Sequence, residues 1–276
     1  MSAAGRVAIG FSKPYVANYV NNAGIISFAS ARVLARGVKV SIELDDGSDN
    51  VFYADNQAAE TDAGSFTGGT LTLTVDGLFT NAARFLYGLP SKDANGWVAY
   101  DDTMQKVHKA VGYIGKYMSN GEISYVPTII VKCSFNQPGE ELNTQEDTIS
   151  WQTTDLSAKI LRGDDANHTW KFITEDGYST EEAAEAVLQA KLGYVPPTMH
   201  DVTQTLTNVT SSFIGNTIAD GAALNATLTA NIGYTLDTVT VKMGGTDITS
   251  TVVTGGTVAI PAVTGDVVIT ATGVSA

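Results

Sequence analysis

"GGTLTLTVDG", residues 68–77, alternates strictly: Leu71, Leu73 and Val75 point one way, and Thr70, Thr72, Thr74 and Asp76 the other. A period of two marks a half-buried β-strand. "GVKVSIEL", residues 37–44, repeats the pattern, with Val38, Val40, Ile42 and Leu44 opposed to Lys39, Ser41 and Glu43. The two strands bracket "DDGSDNVFYADNQAAETDAGSF", residues 45–66, an excursion with six acids and no base. A connection this long is usually functional or disordered. Its cluster Val51, Phe52 and Tyr53 is better suited to burial against a partner than to open solvent.

Outward from this pair, "KAVGYIGKYM", "ISYVPTIIVKCSF", "TISWQ", "LSAKILR" and "TWKFITE" read as further strands, rich in aromatic and β-branched residues. Two helices are expected. "STEEAAEAVLQAKLG" has Ser179 as N-cap, Glu182 as capping-box partner and Gly193 as stop, with Ala184, Leu188 and Leu192 flanked by Ala183 and Val187 as its apolar stripe. "TNAARFLYGLP" is shorter, capped by Thr80 or Asn81 and stopped by Gly88 before Pro90. The fold class is mainly β, of the α+β kind with flanking helices.

The boundary lies at "GYVPPTMHD", where Pro196-Pro197 bars helical continuation. Residues 1–195 carry 24 acids against 15 bases, and residues 196–276 carry five acids against Lys242. The second segment, with "ALNATLTA", "LDTVTVKM", "GTVAI" and "DVVITATG" as short strands, suits a small immunoglobulin-like sandwich. The pairs Gly68-Gly69, Gly244-Gly245 and Gly255-Gly256 are expected in turns.

Catalytic signatures are missing. Cys133, the single cysteine, reads as a buried structural thiol, and His108, His168 and His200 form no metal-ligand spacing. "DDGSDN" fails the offsets of a calcium loop, and the adjacent acids Asp101-Asp102, Glu140-Glu141 and Asp164-Asp165 would point to opposite faces of a strand. Neither cofactor nor metal is expected, and the chain is read as a non-enzyme. A net charge of -13 disfavours gripping nucleic acid, although it permits a polyanion to slide past. No apolar stretch approaches the ~20 residues of a membrane span, and the start lacks a secretory signal core, so synthesis in the cytoplasm without membrane insertion is expected.

"VAIGFSKPYVANY" (7–19), the segment 40–78, "VGYIGKYMSNG" (111–121) and "WKFITEDGYSTEEAAEAVLQAKLG" (170–193) together resemble the major tail protein family of long-tailed bacteriophages. The resemblance covers about residues 5–193, and residues 200–276 resemble the immunoglobulin-like modules appended to such subunits. It implies a tail-tube domain over 1–195, a β-sandwich or barrel that forms homo-hexameric rings stacked into a virion tail tube. Genomic DNA would pass through the tube without specific binding. Tape-measure and tail-terminator or tip proteins are implied as partners, with host-surface contact by the C-terminal module a further option.

By position, the ring-stacking loop would be Asp45 to Phe66, with Asp45, Asp46, Asp49, Val51, Phe52, Tyr53, Asp55, Glu60, Asp62 and Phe66 as its candidate residues. Lys39, Ser41, Glu43, Thr70, Thr72, Thr74 and Asp76 would be candidates for the channel wall, with Lys39 discordant on an otherwise polar or acidic surface. The alternative reading is a surface-displayed, adhesin-like binding protein.

Overall fold

The computed structural model describes residues 5–47, 50–54, 57–62, 66–101, 106–137 and 151–276. The chain is mostly strand and divides into two compact units, Met1–Val195 and Pro196–Ala276.

The first unit is built on one antiparallel sheet. Its strands are β1 (Val7–Asn22), β2 (Ile25–Val33), β3 (Gly37–Asp46), β6 (Phe66–Val75), β7 (His108–Ser119), β8 (Glu122–Phe135), β9 (Thr154–Ile160) and β10 (Lys171–Ile173). A separate ribbon, β4 (Asn50–Ala54) with β5 (Gln57–Asp62), lies between β3 and β6 in the chain. The sheet order is β2-β1-β7-β8-β9-β6-β3, with β10 added on β8.

Strand β8 shares one of its edges between two partners. Thr128 to Ile130 pair with β10, whereas Cys133 to Phe135 pair with β9. Both halves therefore feed one core: Val16, Val111 and Ile130 come from one side, and Leu71, Leu73, Leu156 and Ile160 from the other. Helix α1 (Thr80–Tyr87) adds Leu86 and Tyr87 to it. The opposite face of β1, β7 and β8 is covered by α2 (Glu181–Leu192), whose Ala184, Leu188 and Leu192 pack on Tyr15, Ala17, Ala110, Ile114 and Ile129. Burial of such side chains is the main favourable term in the fold. The Tyr15 hydroxyl donates to Glu185 Oε1 at 2.6 Å and accepts from Gln189 Nε2 at 2.6 Å, which fixes α2 on β1.

Several local expectations need correction. The N-cap of α2 is Thr180, whose hydroxyl accepts from the Ala183 N–H at 3.2 Å, so Ser179 and Glu182 form no capping box. The helix starts one residue later than "STEE" implied, and that puts Ala183 rather than Glu182 at N3. Its buried stripe is confined to Ala184, Leu188 and Leu192; Ala183 and Val187 are exposed. Helix α1 is preceded by Phe79 without a side-chain cap, although Gly88 closes it in the left-handed region. Of "TISWQ", Trp151 and Gln152 are not strand, and 148–150 lie outside the described residues.

The second unit is a two-layer sandwich. Its strands are β11 (Met199–Thr207), β12 (Val209–Ser211), β13 (Thr217–Ala219), β14 (Leu224–Ala230), β15 (Tyr234–Met243), β16 (Thr246–Asp247), β17 (Val253–Thr254), β18 (Thr257–Ile260) and β19 (Val267–Ser275). The sheets β13-β11-β19-β15-β16 and β12-β14-β18-β17 share a core, with Val202, Val241 and Ile269 on one side and Leu228, Val258 and Ile260 on the other. Strand β11 runs parallel to β19. Gly244-Gly245 and Gly255-Gly256 all have positive φ and each joins an antiparallel pair, β15–β16 and β17–β18. Two successive positive φ values are what a two-residue hairpin turn demands.

Candidate functional site: a free sheet edge, its polar face and an acidic ribbon

Among the described residues strand β3 ends the sheet, and only β6 pairs with it, from Gly37↔Val75 to Asp46↔Phe66. A strand of this length at an edge presents an unpaired row of N–H and C=O groups. Its apolar side is only partly covered: Val40 and Ile42 pack on the core, while Val38 is 54% and Leu44 45% exposed. Strand β2 is the other edge among the described residues, with Ile25 and Val33 exposed. At the far end of the sheet Val7, Met118 and Ile123 are cross-strand neighbours, all exposed.

Between β3 and β6 the chain leaves the main ladder as a ribbon. Strands β4 and β5 pair from Asn50↔Asp62 to Ala54↔Gln57, with a bulge between Phe52 and Tyr53. The β-branched and aromatic residues of "NVFYA" favour extended backbone, so the expected loop is a hairpin arm. A two-stranded ribbon is marginally stable by itself in water. Asp45, Asp46 and Phe66 are not part of the arm. They lie in the β3–β6 ladder, where Phe66 stacks on Trp170 at 4.8 Å and its carbonyl accepts from Arg162 Nε at 2.8 Å. Asp49 and Asp55 lie outside the described residues, and for Val51, Phe52, Tyr53, Glu60 and Asp62 the description covers the backbone alone.

The polar face next to the edge is wider than "TLTLT" foretold. Strand β9 pairs with β6, placing Asp155 beside Thr74, Ser157 beside Thr72 and Lys159 beside Thr70. Strand β3 places Lys39, Ser41 and Glu43 on the other side of those same threonines. The rows across the face are thus Lys39–Thr74–Asp155, Ser41–Thr72–Ser157 and Glu43–Thr70–Lys159. Lys39 and Lys159 offset Glu43 and Asp155, so these rows carry no net charge. Lys39 is therefore one of two cations in a balanced pattern. Asp155, Ser157 and Lys159 were legible in "TDLSAKI", where Leu156, Ala158 and Ile160 alternate with them.

Two wall candidates need correction. Thr74 is only 9% exposed and its hydroxyl donates to Asp155 Oδ1 at 2.5 Å, so it presents little free surface. Asp76 lies past the end of β6, where it accepts from the Arg36 backbone N–H at 3.1 Å and from Arg36 Nε at 2.5 Å. The Arg36 contacts hold its carboxyl below the usual range.

Gly68-Gly69 is also not a turn. Both residues sit inside β6, and a Cβ on Gly69 would lie 2.5 Å from the Glu43 carbonyl oxygen and 3.3 Å from Leu44 Cα. These are backbone atoms, so a side chain there must push β3 outward. Gly69→Val is expected to cost about 1–3 kcal/mol and to speed amide exchange along β3. Hydrogen-exchange rates for β3 equal to those of the wild type would contradict the close approach.

Among the described residues no cluster of His, Cys, Asp and Glu is arranged to hold a metal. Cys133 is fully buried, and burial pushes its thiol far up, out of the reactive range. His200 contacts Asp220 Oδ1 at 2.8 Å, and His168 Nδ1 lies 3.2 Å from the Gly163 carbonyl. His108 is held below its ordinary value by burial and then by Lys132.

The unusual titrating group is Lys109, 3% exposed, with Nζ donating to Asn18 Oδ1 at 2.5 Å. Burial first, and then the Arg32 guanidinium, pulls it from 10.5 down to about 8. Between those values the unfolded chain binds more protons than the folded one, so this group's contribution to stability rises with pH. Below about 8 it is charged in both states, and its cost is fully present. The stability of Lys109→Met minus that of the wild type is therefore expected to fall as pH rises from 8 to 10.5. Urea titrations showing a constant difference would assign Lys109 an ordinary pKa.

In comparisons with known proteins, no family model and no curated protein matches this chain.

Proposed function

We propose that the chain is a structural subunit that joins copies of itself into rings stacked as a phage-type tail tube, with DNA passing down the channel. The observation that carries the reading is one sheet that, among the described residues, ends in two edge strands, β2 and β3, each paired on one side alone, with an acidic ribbon between β3 and β6 that pairs with neither. Edge-to-edge joining of β3 to β2 of the next copy is a heterologous contact, which closes into a ring when its rotation permits. Closure removes both edges and covers Val38 and Leu44. The resemblance of 5–193 to tail-tube subunits supplies the expectation of six copies per ring.

In this arrangement the charge-balanced face of β3, β6 and β9 lines the channel. Threonine and serine with alternating single charges give DNA no extended row of cations and hence little counterion release. The ribbon reaches the adjacent ring, where a partner supplies the packing that a lone hairpin lacks. Immunogold microscopy of the parent particle with antibody to this chain tests the reading. Labelling along a tail shaft is expected; a particle whose shaft carries none of the chain overturns it.

A further inference from the structure

On a chain of net charge -13, one spot of the first unit gathers three cations. Arg32 of β2 holds its guanidinium carbon 3.7 Å from the Phe85 ring centroid, and Lys109 of β7 places Nζ 3.8 Å from the same centroid. Arg84, beside Phe85 on α1, is close enough to bias Arg32. Among the described residues no carboxylate forms an ion pair with any of these three; the ion pairs found join Lys13 to Glu185, Arg36 to Asp76, Lys132 to Asp164, and His200 to Asp220 and Asp266. Arg32 is held below its ordinary value by burial and then by Arg84, and Lys109 by burial and then by Arg32, so the charges on these two are disfavoured first by burial and then by a neighbouring cation. Arg32 is exposed and Arg84 half-buried, so both remain within reach of a ligand.

The missing counter-charge has a matching source in the same chain. Residues 45–66 hold six acids and no base, and Glu60 and Asp62 lie on β5 of a ribbon unpaired with the main sheet. We propose that the Arg32–Arg84–Lys109 cluster around Phe85 is the receptor for the acidic ribbon of a second copy of this chain. The choice of a second copy rests on the stacked-ring reading. A carboxylate pair satisfies the two accessible guanidinium groups in planar, charge-assisted contacts. It also offsets the repulsion among the three cations. Nucleic acid is the poorer occupant, because an isolated spot on a strongly acidic molecule cannot track a phosphate backbone.

The test titrates a peptide of residues 45–66 into the full-length chain, read by fluorescence anisotropy. Arg32→Glu with Arg84→Glu is expected to weaken binding by about tenfold or more, since reversing both guanidinium charges turns attraction for the carboxylates into repulsion. A peptide with Glu60→Lys and Asp62→Lys is expected to bind this variant better than the wild type. Should the reversal unfold the chain in a thermal melt, Arg32→Gln with Arg84→Gln replaces it and is expected to weaken binding in the same sense. Equal binding to wild type and variant, or no binding to the wild type, overturns the proposal. So does capture of a short DNA duplex at the same arginines in preference to the peptide. Peptide capture by a chain that never forms tubes would sink the tube and leave the receptor standing. Normal tubes from Arg32→Glu/Arg84→Glu would do the reverse.

Discussion

Replacing residues 47–65 by Asn-Gly is expected to abolish axial stacking while leaving the first unit folded. The replacement joins Asp46 to Phe66, which already face each other across the β3–β6 ladder, through the two-residue turn that hairpins favour. Nothing in the core is lost: Leu71, Leu73 and Val75 keep their places opposite Val111 and Ile130, and the Phe66–Trp170 stack remains. The melting temperature is expected to move little, because an unpaired ribbon contributes little to the fold that carries it. Sedimentable stacks should disappear, leaving single rings or free subunits by electron microscopy. Tubes of normal length from this variant would refute the ribbon's role.

The second large effect is expected at the free edge. Val38→Lys with Leu44→Lys puts two cations on the apolar side of β3 at positions 54% and 45% exposed in the single chain. Inward-pointing lysines on edge strands are how β proteins prevent edge-to-edge pairing. In the free subunit each ammonium reaches water along its flexible stem, so the fold should lose about 0.5 kcal/mol or less per site. In a closed ring each would be buried at a joint without a partner, a cost of several kcal/mol. Every ~1.4 kcal/mol is tenfold in association, so rings should be lost at concentrations where the wild type assembles. Sedimentation velocity reads this directly, and a ring peak of wild-type size from the variant would remove β3 from the interface.

Much of the first unit was legible because β3, β6 and β9 each bury one face, which leaves a period of two in the sequence. Strand β1 leaves no period of two in the sequence, for three physical reasons. It contains Pro14, it breaks register between Ala8 and Gly10 and again between Ser12 and Tyr15, and Tyr15 to Ala17 are buried on both faces. Each of these erases alternation. The start of β11, "MHD", hides in the linker stretch because it lies one residue past the prolines and has no apolar run.

The glycine pairs show where local chemistry underdetermines structure. Gly244-Gly245 and Gly255-Gly256 take positive φ in hairpins, whereas Gly68-Gly69 serves a close strand approach that depends on Glu43, 26 residues earlier than Gly69. The candidate site was legible as two polar strand faces, yet its charge balance was not. That balance needs β9 beside β6, a pairing across roughly eighty residues of chain. The cluster at Arg32, Arg84 and Lys109 was invisible for the same reason, since its members come from β2, α1 and β7.

The assembly proposed for this chain is a stack of rings joined through its sheet edges. Two-dimensional class averages of the assembled full-length chain, viewed end-on and side-on, test it most directly. Closed rings around an open channel, repeating along an axis, are the expected result. Dispersed single subunits at every concentration, together with the absence of the chain from the tail shaft of its parent particle, would contradict it.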